Sequence, residues 1–338
     1  MTRTTVLWSA RRRLAASIGA SALALVVLVG AATPATAAPS VKASVTDGTL
    51  RITGGPFADH IALRMSPLDR TQLQVDVGDD GSADRTFDLN TFGAIDVETR
   101  GGDDSVRIDE ANGAFTTTTT TRIDGGRGDD TLRGGSGAEL FIGGGGNDLI
   151  DGNGGADTAF LGAGDDVFVW DPGDGSDVVE GQSGSDTLTF NGSAGNEIME
   201  ARANFGRVAF TRNLGNILMD LDGIEAIDVR ALGGSDAVTV DNLGGTDVSR
   251  VNVDLAAANG GSTADGQPDT VTVGGTKGDD SIAVDADGAA VNVTGLAAFV
   301  RITHADPASD ALVIEPVTGV DHVAIDPAVN GLIQASIQ

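Results

Sequence analysis

A nine-residue unit that starts at Gly125 and repeats in phase constrains this chain more than any other feature. GGRGDDTLR, GGSGAELFI, GGGGNDLID, GNGGADTAF and LGAGDDVFV follow one another to Val169. After Trp170 and Asp171 the unit resumes as PGDGSDVVE from Pro172 and GQSGSDTLT from Gly181. The common form is G-G-x-G-x-D-x-U-x, with U apolar. A period this short means a small unit stacked on copies of itself, because one unit alone cannot bury its apolar face. Each place has a physical task. The glycines allow backbone with φ > 0, which a tight turn requires. The apolar residue two places after the acid (Leu132, Phe141, Ile150, Ala159, Phe168, Val179, Leu188) is spaced to point inward from a short strand. The acid at the sixth place supplies hard carboxylate oxygens, which suit Ca²⁺ better than softer metals. The plainer alternative is a solenoid whose acids only cap turns, but turn chemistry by itself asks for no acid at a fixed phase.

These residues resemble the RTX, or haemolysin-type, calcium-binding repeats, strictly from Gly125 to Thr189, about a fifth of the chain. The resemblance implies an all-β fold, a right-handed parallel β-roll. In it the first six residues of each repeat turn, the last three form a strand, and two repeats make one coil. Ca²⁺ sits between turns of successive coils on the same side. Applied here, this sorts the acids into two columns with members 18 residues apart, except across Trp170 and Asp171. Asp130, Asp148, Asp166 and Asp186 form one column; Glu139, Asp157 and Asp177 form the other. If adjacent members share an ion, the two columns hold at most five. Two departures lower that bound: Glu139 adds a methylene, and Leu161 replaces the first glycine of its unit.

Composition agrees with a solenoid. The 338 residues include 49 Gly, no Tyr and no Cys, and 4% aromatics is too little for a conventional large core. Without Cys there are no disulfide staples, which leaves calcium to serve as one. Acids outnumber bases 49 to 21, which argues against nucleic acid or an anionic membrane as partner. Metal-free acid columns repel one another, so bound Ca²⁺ couples to folding.

Residues 1–37 read as a secretory signal peptide. Arg3 and Arg11 to Arg13 give a basic start, Leu14 to Val29 an apolar run, and Ala35-Thr36-Ala37 a small-residue cleavage site. The run is short for a membrane anchor. Its removal takes four arginines and no acids, leaving 17 bases against 49 acids and a formal charge of −32. The expectation is a released, extracellular chain. Many RTX proteins instead leave through a dedicated channel on an uncleaved C-terminal signal, so this export segment departs from their pattern.

The flanks carry a second periodicity. Strand pairs stand 11 residues apart: Leu50/Ile52 and Ile61/Leu63, Ile95/Val97 and Val106/Ile108, Ile227/Val229 and Val238/Val240, Val271/Val273 and Ile282/Val284, Leu312/Ile314 and Val323/Ile325. The second pair follows an acid in D-x-U-x-U, namely Asp59, Asp104, Asp236, Asp280 or Asp321. These read as degenerate coils with longer strands, since their period is two throughout. Alternation at Val208 to Phe210, Val251 to Leu255, Val291 to Val293 and Val300 to Ile302 extends them. Among the worn turns, those at Asp104 and Asp280 are the best further calcium candidates. The expected organisation is a signal peptide over 1–37, degenerate solenoid over 38–98, calcium-binding roll over 99–190, and degenerate solenoid over 191–338. Asp80-Gly81 reads as a hairpin turn and Thr116 to Thr121 as a solvated linker.

No HExxH, GxSxG or Cys nucleophile is present, and His60, His304 and His322 are scattered, so no catalytic set is assigned. The reading is a secreted calcium-binding protein with no enzymatic role. Its alternatives are a Ca²⁺-dependent polysaccharide-acting β-helix enzyme, for which Arg127 and Arg133 lie beside the repeats, and a surface adhesion module for a glycan or cell-surface ligand.

Overall fold

A computed structural model describes residues 41–338, so the expected signal peptide and its expected cleavage site lie outside the described residues. In the repeats, the U residue and its two neighbours form a strand, and each glycine-acid turn throws the chain to the opposite sheet. Thus Thr131–Arg133 lies in one sheet, Glu139–Gly145 in the other, and Leu149–Asp151 back in the first. Successive coils pair in parallel at an 18-residue offset: Leu132 with Ile150, Phe141 with Ala159. Across Trp170 and Asp171 the offset becomes 20, pairing Thr158 with Val178 and Val167 with Thr187. The result is two 14-stranded sheets facing each other, the all-β parallel roll that the repeats imply. Among the described residues the only helices are short 3₁₀ turns, and none is long and apolar enough to cross a membrane.

All seven U residues are fully buried. Each strict repeat sends one such residue inward, so the central roll is thin. The flanking coils send two, as Leu50 and Ile52 stack on Ile95 and Val97, and Val271 and Val273 on Leu312 and Ile314. The two-residue insertion makes the change of width. It extends the strand Val167–Trp170 by one inward residue, and Trp170 pairs in register with Phe190 of the next coil. Their rings stack at 4.1 Å and 3°, and Phe190 tilts onto Phe210 at 4.5 Å.

The alternating segments at Val208 and Val291 are not solenoid coils. Arg207–Arg212 and Ala290–Thr294 run antiparallel, each the middle strand of a three-stranded meander inserted into a sheet. Tight two-residue turns cause the reversal: Phe205-Gly206, both with φ > 0 (54° and 91°), and Gly288-Ala289. At Asp80-Gly81 the expected hairpin joins Gln72–Val77 to Arg85–Asp88. Thr116 to Thr121, however, is not a solvated linker. Thr116, Thr119 and Thr121 are buried, and Thr121 lies in the strand Thr120–Arg127, between Ile95 and Glu139. A threonine can be buried this way because its short side chain satisfies its own hydroxyl: Thr121 donates to the Thr119 carbonyl at 3.1 Å.

Candidate metal centre

The acid at the sixth place comes just before its strand, or with Glu139 opens it, so the turn directs it between coils. The Asp130 N–H donates to Asp148 Oδ1, Asp148 N–H to Asp166, and Asp166 N–H to Asp186, at 2.7–2.9 Å. On the other edge Glu139 N–H donates to Asp157 Oδ1 and Asp157 N–H to Asp177, at 2.7 and 2.9 Å. The seven side chains therefore stand in the two files that their spacing sets out. The preceding residue ties the same coils in the opposite sense, with Asn147 N–H donating to Asp129 Oδ1 and Asp165 N–H to Asn147 Oδ1. On this first edge the alternating direction locks the turns both forward and back, whereas Ala138 and Ala156 offer the second edge no such tie.

These bonds use one carboxylate oxygen of each aspartate, and on Glu139 the Gly135 N–H of its own turn takes one. The second (Oδ2 of Asp130, Asp148, Asp157, Asp166, Asp177 and Asp186, Oε1 of Glu139) is buried with no hydrogen-bond partner. A buried anion without a partner is costly, so its charged form is disfavoured. Burial accordingly leads in pushing Asp148 and Asp177 up to about 6, Asp130, Glu139 and Asp186 to about 7, and Asp157 to about 9, while Asp166 is also raised. Neighbouring carboxylates add to it; Asp177 and Glu139 both raise Asp157.

Backbone carbonyls crowd the same turns. A methyl group at Gly144 would collide with the Gly126 carbonyl one coil away, and one at Gly143 with Asp148 Oδ2. Among the described residues no three acidic or imidazole groups converge, so a cation here would draw most of its shell from carbonyl oxygen. Orphaned carboxylate oxygens beside stacked carbonyls are all-oxygen donors, and they fit Ca²⁺. Leu161 does not alter this. Its side chain turns into the core, fully buried, and its carbonyl still faces the Gly143 turn.

Acid ladders continue past the repeats on both edges, on the second only beyond the inserted meander. Asp59 N–H donates to Asp104 and Asp104 N–H to Asp130, while Asp186 N–H donates to Glu225. On the second edge Glu197, Asp236, Asp269 and Asp310 form a like ladder. The sequence signal missed for Glu197, Glu225, Asp269 and Asp310 is the same one: an acid two places before an inward apolar residue, here Met199, Ile227, Val271 and Leu312. Asp104 and Asp236 keep an orphaned Oδ2. The Asp280 turn, expected to be a good candidate, is closed. Thr276 donates its N–H to Asp280 Oδ2 at 2.7 Å and its hydroxyl to Oδ1 at 2.8 Å. Asp310 Oδ2 is likewise taken by the Asp306 N–H.

A family model described as the RTX calcium-binding nonapeptide repeat (4 copies) matches residues 116–150, 133–168 and 172–203. Such repeats imply Ca²⁺ binding in the stretch where the two files stand. No curated protein matches the chain significantly.

Proposed function

We propose that this chain, which carries RTX calcium-binding nonapeptide repeats, is a secreted protein whose central roll takes Ca²⁺ into its turns and folds or stiffens as it does so. The observation that carries the reading is the orphaned oxygen recurring on all seven acids. In this reading Asp130, Asp148, Asp166 and Asp186 hold ions on one edge and Glu139, Asp157 and Asp177 on the other. The ion neutralises carboxylates that otherwise lie buried and uncompensated, and no catalytic step is involved. Residues 99–190 form the calcium roll, and residues 38–98 and 191–338 are the flanking coils. Because binding favours the ordered form alone, stability should grow with free calcium.

Equilibrium dialysis with ⁴⁵Ca²⁺, paired with circular dichroism, tests the reading. Several ions per chain should bind, with gain of β-structure, over the ~10⁻⁴ to 10⁻³ M range usual for extracellular modules. No bound calcium, or an unchanged spectrum and melting temperature between EDTA and about 10 mM Ca²⁺, would overturn it. For export, N-terminal sequencing of the secreted chain should begin at Ala38 or within a residue or two. A sequence beginning at Met1 would reject the cleaved signal.

A further inference from the structure

A second two-residue step, Phe190-Asn191, hides an eighth unit, GSAGNEIME, from Gly192 to Glu200. Its turn is built like the others. Glu197 stands at the sixth place, its N–H donates to Asp236 Oδ1 at 2.8 Å, and a methyl group at Gly192 would press on Glu197 Oε2. In the seven turns before it the second carboxylate oxygen has no partner. Here both oxygens are taken. Ser193 N–H donates to Oε2 at 2.9 Å, and Oε1 accepts from the Ser193 hydroxyl at 2.9 Å and from Arg212 Nε at 2.6 Å. The Arg212 guanidinium also bonds the Leu214 carbonyl at 3.0 Å and the Ser193 hydroxyl at 3.2 Å. It therefore gathers a carboxylate and a backbone carbonyl, the donor types an ion would collect. Both charges are buried, with Arg212 7% and Glu197 1% exposed.

The first meander delivers this arginine. Arg207–Arg212 folds back antiparallel on Ile198–Asn204, placing Arg212 opposite Met199. The guanidinium then lies 5.2 Å from the Trp170 ring centroid, a cation–π contact that anchors it to the neighbouring coil. A guanidinium stays protonated at any pH a protein meets, so this counter-ion is always present.

We propose that Arg212 is a tethered cation that takes the calcium position of the eighth turn, so that this turn is ordered without metal and binds none. The proposal rests on the calcium reading of the other turns. It gives the coil that follows the roll a turn formed before metal arrives, stacked on the Asp236 turn that the Glu197 N–H reaches.

The test is ⁴⁵Ca²⁺ stoichiometry with melting in EDTA and in saturating calcium, on the purified full chain and three variants. Arg212→Met should bind one more ion than the wild type, melt earlier in EDTA, and recover in calcium. Arg212→Lys, which keeps a cation, should hold the wild-type stoichiometry. Glu197→Gln with Arg212→Met removes both charges, should also gain no ion, and should melt in EDTA closer to the wild type than Arg212→Met does. An Arg212→Met chain that gains no ion, or stays unfolded in saturating calcium, overturns the proposal, as does an ion gained by Arg212→Lys. Should the wild type bind no calcium, the functional reading fails instead. The tether then stands or falls on whether the double variant melts above Arg212→Met in EDTA.

Discussion

Asp148 takes an amide from Asp130 through one oxygen and gives its own amide to Asp166, so it belongs to two turns at once. Glu139 heads its file: above it Thr116, not an acid, accepts the Ser136 and Gly137 N–H groups. Asp148→Ala should therefore lose two ions in calorimetric titration and Glu139→Ala no more than one; equal losses would contradict the shared-ion files. Glu139 also bonds its own turn, accepting the Gly135 N–H at 2.9 Å, whereas the six repeat aspartates leave their second oxygen unpartnered. Glu139→Asp withdraws that arm and should tighten its site by roughly tenfold, about 1.4 kcal/mol, in the same titration. Trp170, fully buried and bonded through Nε1 to the Gly175 carbonyl at 2.8 Å, reports on the second edge, since Gly175 lies in the Asp177 turn. Its emission should shift as calcium orders that turn, and Trp170→Ala should lower stability by about 3–5 kcal/mol in denaturant unfolding.

At the scale of turns and strands, what repeats in the sequence was legible and what breaks the repeat was not. The nonapeptide phase gave both acid files and every inward U residue, because each place in the unit has one physical task. The second insertion shifted the phase by two and put Glu197 where Asp was expected, which hid the eighth turn. Alternation over Val208 to Phe210 and Val291 to Val293 marks a strand but not its direction; direction lay in the two-residue turns at Phe205-Gly206 and Gly288-Ala289. Burial of the threonine run depended on hydrogen bonds between distant segments, such as Thr116 to Glu110 and Gly137. The turns themselves invite a comparison. Gly144 has φ 116° and would strike the Gly126 carbonyl if given a Cβ, whereas Gly173 has φ 124° and open space. Gly173→Ala should cost only backbone strain, of order 1–3 kcal/mol. Gly144→Ala must also push neighbouring coils apart, so it should cost more and weaken calcium binding. Thermal melts of the two variants with and without calcium would show it, and equal losses would mean the coils are not held at that spacing.

For the molecule as a whole, pH should act in opposite directions with and without metal. Seven buried carboxylates have folded-state values raised above their ordinary 3.8 or 4.5: Asp148 and Asp177 to about 6, Asp130, Glu139 and Asp186 to about 7, Asp157 to about 9, and Asp166 also upward. The metal-free fold thus binds more protons than the unfolded chain above about pH 4, and stability must fall as pH rises. That contribution is complete below the unfolded values and is lost as pH climbs through 6 and 7, with Asp157 last. Asp109 and Glu110, held below their ordinary values, give the opposite slope, but only at more acid pH. Calcium needs the carboxylates ionised, so its binding releases protons and strengthens over the same window in which the metal-free roll weakens. The net charge of −28 adds general repulsion on the alkaline side. Melting temperature in EDTA should therefore decline from pH 4 to pH 8, while the extra stability given by a fixed millimolar calcium concentration should grow. An EDTA melting temperature that rises steadily from pH 4 to pH 7 would show that the carboxylates are not buried uncompensated in the metal-free chain. Calcium would then be binding to turns already open to water, and the link between metal and folding would have to lie elsewhere.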